Sequence, residues 1–222
     1  MITGNILHRV FRIGWADGGG TAFSIDVDGR EYLVTAAHVV DGLPDDGEIE
    51  IFSRSAFVPL RVRVVGRSAK HLDTAVLAAE RALAVPNLSA EPSADGIVYG
   101  QDVYFLGFPY ELPSKITLTG NAYPLPYVKK AIVSQLDMET YILDGHNNPG
   151  FSGGPVVFVP PPGGAPFKIA GIISGYRFEP EPIYRGDDVT ELTVRYNTGL
   201  IVATSIDAAL NLIRANPIGF TR

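Results

Sequence analysis

Three short runs carry residue types that could do chemistry together: Thr35-Ala36-Ala37-His38, Asp73-Thr74-Ala75-Val76-Leu77, and Asn148-Pro149-Gly150-Phe151-Ser152-Gly153-Gly154-Pro155. A serine hydroxyl becomes a useful nucleophile when a neutral histidine within hydrogen-bond reach takes its proton as the oxygen attacks a carbonyl. An acid on the other ring nitrogen fixes the tautomer and stabilises the imidazolium. Ser152, His38 and Asp73 are the candidates for nucleophile, base and orienting acid. Asp41, Asp45 and Asp46 lie nearer His38, but their Asp-Gly and Pro-Asp-Asp-Gly settings read as solvated loop. Asp73 instead precedes the apolar run Ala75-Val76-Leu77-Ala78-Ala79, at the lip of a buried strand. The turn Gly150-Phe151-Ser152 has a second use. Backbone N–H groups of Gly150 and Ser152 can receive the oxygen that becomes negative in a tetrahedral intermediate. Gly150, Gly153 and Gly154 suit a turn that needs unusual dihedrals or close backbone approach.

The order is His, Asp, Ser, and different folds present one triad geometry in different chain orders. Gly150-Phe151-Ser152-Gly153-Gly154 also fits the nucleophile elbow of α/β-hydrolases, but that fold needs its acid and histidine after the serine. The four histidines, His8, His38, His71 and His146, all precede Ser152, which argues against a lipase or esterase of that kind. Metal-dependent hydrolysis is also disfavoured. No His-Glu-x-x-His run occurs and the histidines have no ligand spacing. With no cysteine, disulfides, thiolate catalysis and sulfur-ligated zinc are unavailable. The reading therefore expects neither a metal nor another cofactor. A net charge of -6 without a block of lysines or arginines argues against binding a phosphate backbone, so nucleic acid is not an expected partner. Met1-Ile2-Thr3-Gly4-Asn5 opens without a basic segment leading into a long apolar stretch, so neither a signal peptide nor a membrane span is expected. Cytoplasmic placement is the simpler expectation for a disulfide-free chain.

These residues need rigid elements to meet. Gly 24 and Pro 17 in 222 residues, with Val, Ile, Tyr and Phe in short runs, point to an all-β chain of many strands and turns. The run from Gly18 to Val27 reads as a turn feeding a strand, and Asp28-Gly29 as a hairpin turn before Glu31-Tyr32-Leu33-Val34-Thr35, which delivers His38. Further strands are expected at 48–52, 59–65 and 75–79, with Arg61, Arg63 and Arg67 on the solvent side. The second half suggests strands at 101–107, 115–122, 129–136, 155–159, 167–174 and 191–204. Residues 81–99 read as the connection between two lobes, dividing the chain into an N-terminal lobe, 1–95, and a C-terminal lobe, 96–222. Pro160-Pro161-Pro162-Gly163-Gly164 reads as a surface hairpin loop and residues 177–190 as an acidic loop. Ser205 caps an expected short helix that turns Ile206, Leu210 and Ile213 to one side, against the second lobe.

The runs around His38, Asp73 and Ser152 resemble the signatures of the chymotrypsin/trypsin-like serine proteases, in which a histidine, an aspartate and a serine act in these three roles. The likeness is closest to the disulfide-free bacterial trypsin-like and high-temperature-requirement peptidases, with Gly20-Thr21-Ala22-Phe23 similar to the strand before the histidine hairpin. It extends over about residues 15 to 213. The resemblance implies a chymotrypsin-like double six-stranded β-barrel, with the cleft between lobes, and hydrolysis of a polypeptide substrate through an acyl-enzyme. It also implies that Ile172-Ile173-Ser174-Gly175-Tyr176 pairs with substrate backbone, Ser174, Gly175 and Tyr176 forming one pocket wall, with His146 and Asn147 near the pocket floor. One departure stands out. The family usually has an acidic or amide residue before the serine, where this chain has Phe151, so an ion pair to a new N-terminus is not available. The loop must be held by packing of that ring or by its neighbours. A catalytically latent, protease-like peptide-binding module is the alternative, and the oligomeric state is left open.

Overall fold

Strands dominate the computed structural model, which describes residues 2–85, 88–112, 122–160 and 166–221. After a single helical turn, α1 (Gly4–Leu7), the first half forms β1 (Val10–Trp15), β2 (Gly18–Val27), β3 (Arg30–Ala36), β4 (Asp46–Ser53), β5 (Ala56–Arg67) and β6 (Thr74–Ala79). The order is β3-β2-β1-β4-β5-β6, and β6 pairs back to β3, closing six strands. The β2–β3 hairpin turns at Asp28-Gly29, with φ of +50° and +72°, as a two-residue turn matched to strand twist requires. Side chains alternate between faces along a strand. Leu33 therefore enters the interior of this barrel, whereas Val34 enters a core shared with the other half. Arg61, Arg63 and Arg67 are exposed, as expected.

The second half forms β7 (Glu91–Pro92), β8 (Asp102–Gly107), β9 (Tyr127–Leu136), β10 (Thr140–Asp144), β11 (Pro155–Phe158), β12 (Lys168–Arg185) and β13 (Asp188–Ser205). The order β11-β8-β9-β10-β13-β12 closes when β12 pairs back to β11. β7 lies parallel to β12, and the short β14 (Phe220–Thr221) returns to β3. This is the all-β class expected from composition and the chymotrypsin-like double barrel that the resemblance implies.

Several details differ from the sequence reading. β1 and β10 are additional to the expected strands. β10 follows β9 after a short polar turn, and its three consecutive apolar residues, Tyr141-Ile142-Leu143, hide in the sequence the alternation that its burial shows. All of the expected strand at 115–122 but its last residue, and most of the proline loop at 160–164, lie outside the described residues. The acidic loop expected at 177–190 is corrected. β12 and β13 stay paired out to Arg185 and Asp188, because Pro180 and Pro182 can sit in an outer strand where their nitrogens owe no ladder bond.

The C-terminal helix α2 (Ile206–Ala215) starts where expected. Ser205 Oγ accepts from Asp207 N at 3.3 Å, and Ile206, Leu210 and Ile213 are buried. It packs on the first barrel as well as the second: Leu212 covers Gly66 of β5, and Asn216 Nδ2 donates to Val65 O at 2.9 Å. The shared core joins Phe23, Val34 and Val76 to Leu106, Phe108, Val157 and Ile172, with the buried face of α2 alongside. Each large side chain buried there contributes roughly 1.5–3 kcal/mol. The two barrels are thereby held in one relation, and the loops between them inherit it.

Candidate active site

β3 ends at Ala36 and continues as a turn of 3-10 helix, Ala37–Val40, whose Val39 and Val40 are buried. His38 is left facing outward, its side chain 51% exposed. The pairing of Ala36 with Thr74 brings Asp73 alongside. Ala37 N donates to Asp73 O at 2.9 Å, His38 N donates to Asp73 Oδ1 at 2.9 Å, and His38 Nδ1 meets Asp73 Oδ2 at 2.7 Å. Asp73 adopts φ of +44°, a left-handed conformation that aspartate tolerates better than most residues. The turn holding it is closed by Thr74 N donating to Ser68 Oγ at 2.9 Å and, from the second barrel, Thr204 Oγ1 donating to Leu72 O at 2.7 Å.

Burial pushes the Asp73 carboxyl up, but hydrogen bonds from the His38 ring, the Ser174 hydroxyl and the His38 amide outweigh it and hold the group below its ordinary 3.8. An ionised carboxylate only accepts, so the proton in the 2.7 Å contact belongs to His38 Nδ1, and Nε2 is left as the basic nitrogen. A depressed carboxyl contributes stability that is complete above its unfolded value and is lost as pH falls through the folded one. The stability advantage of the wild type over Asp73→Asn should therefore be steady at neutral pH and shrink below about pH 3.8. Acid titrations of both proteins followed by circular dichroism would show this, and a difference independent of pH would refute it.

Ser152 lies on a loop that the first barrel grips directly. Thr21 N donates to Ser152 O at 2.9 Å, and Thr21 Oγ1 donates to Gly150 O at 2.7 Å and accepts from Phe108 N at 3.2 Å. The ring of Phe151 is fully buried in the second barrel, edge-on to Phe105 with centroids 5.0 Å apart. Packing thus stands where an ion pair is missing. Gly153 N donates to Ile173 O at 2.7 Å, and a Cβ on Gly153 would come within 2.1 Å of Thr21 O. Only glycine lets the loop close this tightly.

Tyr110 N donates to Pro149 O at 2.9 Å and Gly154 N to Phe151 O at 2.8 Å. In a planar trans peptide the N–H points opposite to the C=O, so these bonds set the directions of the Gly150 and Ser152 N–H groups. Neither N–H has a protein acceptor among the described residues.

Ser174 joins the parts. Its hydroxyl donates to Asp73 Oδ2 at 2.6 Å, and its carbonyl accepts from Ser152 Oγ at a long 3.5 Å. Ser152 makes no hydrogen bond to His38. The expected pocket segments also meet: Asn147 Nδ2 donates to Gly175 O at 3.3 Å, and Asn197 Nδ2 to Asn147 O at 2.9 Å. His146 O accepts from Lys129 Nζ, and Tyr176 pairs with Ile201 along β12 and β13. Lys129 also donates to Asn148 Oδ1 at 2.7 Å, and burial lowers its pKa from 10.5. Neither Lys129 nor the bond from the Ser174 hydroxyl to Asp73 is among the groups expected from the sequence. No local pattern marks either one.

A cavity of about 720 Å³ lies by β4, β5 and Phe220 and touches none of these residues. A cleft of about 530 Å³ instead runs from Gly18-Gly19-Gly20 to Pro149-Gly150 and reaches the loop before Ser152.

Residues 20–158 match the family model described as trypsin-like peptidase domain. The fold is similar to that of a serine endoprotease from Yersinia pestis, at 19% identity and a TM-score of 0.59, covering 95% of this chain and 64% of that one. It is also similar to the HtrA-type protease AlgW with tripeptide, at 21% identity and 0.57, covering 95% and 60%. A third likeness is to Rv3671c from M. tuberculosis H37Rv, an inactive serine-to-alanine mutant, at 18% and 0.54, covering 96% and 88%. The chain spans less than two thirds of the length of the first two. No curated protein matches its sequence.

Proposed function

The chain belongs to the trypsin-like peptidase family, and on that premise we propose that it is a serine endopeptidase acting through an acyl-enzyme. The observation that carries this reading is the Ser174 bridge, which ties the His38–Asp73 pair to the Ser152 loop through one residue. In the proposed reaction, Ser152 Oγ bonds to the scissile carbonyl carbon while its proton passes to His38 Nε2. Asp73 holds the ring and stabilises the imidazolium. The oxyanion is received by the N–H groups of Gly150 and Ser152. The C–N bond breaks as His38 returns the proton to the leaving amine. Water then attacks the ester carbonyl, giving a proton to His38, which passes it to Ser152 Oγ as that oxygen leaves. Substrate backbone would pair with Ser174-Gly175-Tyr176 as an added strand, with His146 and Asn147 near the first side-chain pocket.

One observation favours a second reading, a latent module that binds peptides without cutting them. Ser152 Oγ bonds Ser174 O rather than His38, so the third link of the triad is open. Catalytic hydrogen bonds often tighten only when substrate is bound, which is why the active reading is preferred. Intact-mass labelling with a fluorophosphonate separates the two. The endopeptidase reading expects one adduct on the wild type and none on Ser152→Ala, with labelling strongly slowed in His38→Ala. A folded wild type that takes no adduct would favour the latent module.

A further inference from the structure

We propose that Lys129 is a positioning residue that holds the loop before Ser152 in its working shape, an inference that rests on the endopeptidase reading of that site. The observation is a convergence on one ammonium group. Lys129 Nζ donates to His146 O and, at 2.7 Å, to Asn148 Oδ1, and it lies 5.7 Å from the centroid of the Phe151 ring. These three groups lie on both sides of Gly150. Asn148 Nδ2 carries the network on to Tyr110 OH at 3.0 Å, and Tyr110 N holds Pro149 O on the peptide whose N–H belongs to Gly150. The loop has no acid before the serine, because Phe151 stands there. A cation from β9 therefore acts from outside the loop, on its carbonyl and amide oxygens and on the face of an aromatic ring.

Lys129 is suited to this by where it sits. It lies directly opposite Phe105 in the β8–β9 ladder, and Phe105 packs edge-on against Phe151. Its neighbour Lys130 faces the other way and pairs with Asp102 at 2.7 Å. Lys129 has no carboxylate partner among the described residues. Among the described residues its ammonium meets carbonyl-type oxygens and the ring, and all three groups belong to the loop. An ammonium donates three hydrogen bonds and accepts none, and hydrogen bonds to charged groups are stronger than neutral ones. Removing the donor frees His146 O and Asn148 Oδ1 together, and Gly150 is two residues beyond Asn148.

The test compares Lys129→Met, which keeps the length of the stem without the donors, and Lys129→Arg, which keeps a cation able to donate to both oxygens and to stack on a ring. Steady-state hydrolysis of a peptide ester and the rate of fluorophosphonate labelling are measured alongside thermal melting. Lys129→Met is expected to stay folded, to lose on the order of tenfold or more in kcat and in labelling rate, because a charge-assisted hydrogen bond that shapes the loop is removed, and to change KM much less. Lys129→Arg should restore most of that loss. A folded Lys129→Met with wild-type kcat and labelling would overturn the proposal, as would a loss confined to KM or one that Lys129→Arg does not restore. A wild type that takes no label and hydrolyses no ester would fail the endopeptidase reading itself, a result distinct from a labelled wild type matched by Lys129→Met.

Discussion

Ser152→Ala is expected to cut kcat on peptide substrates by on the order of 10⁴-fold or more, with little change in thermal stability. The stability expectation follows from how little the hydroxyl does for the fold. Among the described residues its one hydrogen bond is a 3.5 Å contact to Ser174 O, while the loop is held by backbone bonds and by the buried Phe151 ring. His38→Ala should lose a comparable factor as the base is removed, again with little change in stability, because His38 is half exposed and its ring hydrogen-bonds only Asp73 among the described residues. Asp73→Asn should lose about 10⁴ in kcat through the wrong tautomer. An amide facing Nδ1 can donate to it and so move the ring proton to Nε2, the nitrogen that must act as base. It should also cost some stability at neutral pH, since Asp73 accepts from three groups. Steady-state kinetics and thermal melts on the three purified variants would check this. Persistent hydrolysis by Ser152→Ala would remove Ser152 as the required nucleophile, and unfolding of all three would assign them structural roles instead.

The second large effect is expected at Gly150. Its φ is +100°, and an added Cβ would fall 2.2 Å from Phe108 O and 3.0 Å from the carbon behind it. Backbone on both sides cannot yield, so Gly150→Ala must rotate or displace the 149–150 peptide. That peptide carries one of the two N–H groups proposed to receive the oxyanion. Loss of such a donor typically costs about 10²–10³ in kcat, or about 2.7–4 kcal/mol. The His38–Asp73 pair would be intact, because both residues sit on the first barrel. A slowed fluorophosphonate reaction with an unchanged His38–Asp73 pair would identify the oxyanion site as the part affected. Gly150→Ala with wild-type kcat would show that this N–H does not stabilise the transition state.

Much of this arrangement is legible from local signals. The hairpin at Asp28-Gly29 can be read because only a few residue types accept positive φ at both central positions. The C-terminal helix can be read because a serine cap and three apolar residues at helical spacing are short-range features. Gly150 and Gly153 are legible as positions of tight approach, though not what they approach. The length of β12 and β13 is hidden because prolines and acids usually mark loops, whereas an outer strand tolerates both. The helix is expected against one lobe because amphipathic spacing gives a face and not its partner. Leu212 and Asn216 decide that it also packs on the first barrel.

What the chain determined by itself were the types and order of the candidate reacting groups and an all-β texture; the double barrel came with the resemblance that those motifs carry. Chain order and strand periodicity are properties of neighbouring residues. Tertiary structure alone decided which distant groups meet: the Ser174 hydroxyl on Asp73 across 101 positions, the Thr21 hydroxyl on Gly150 O across 129, and Lys129 over Phe151. A hydroxyl or an ammonium carries no local record of its acceptor. Its partner is fixed only when buried side chains shared by both barrels lock the loops into register, and that register is what turns three separated motifs into one candidate site.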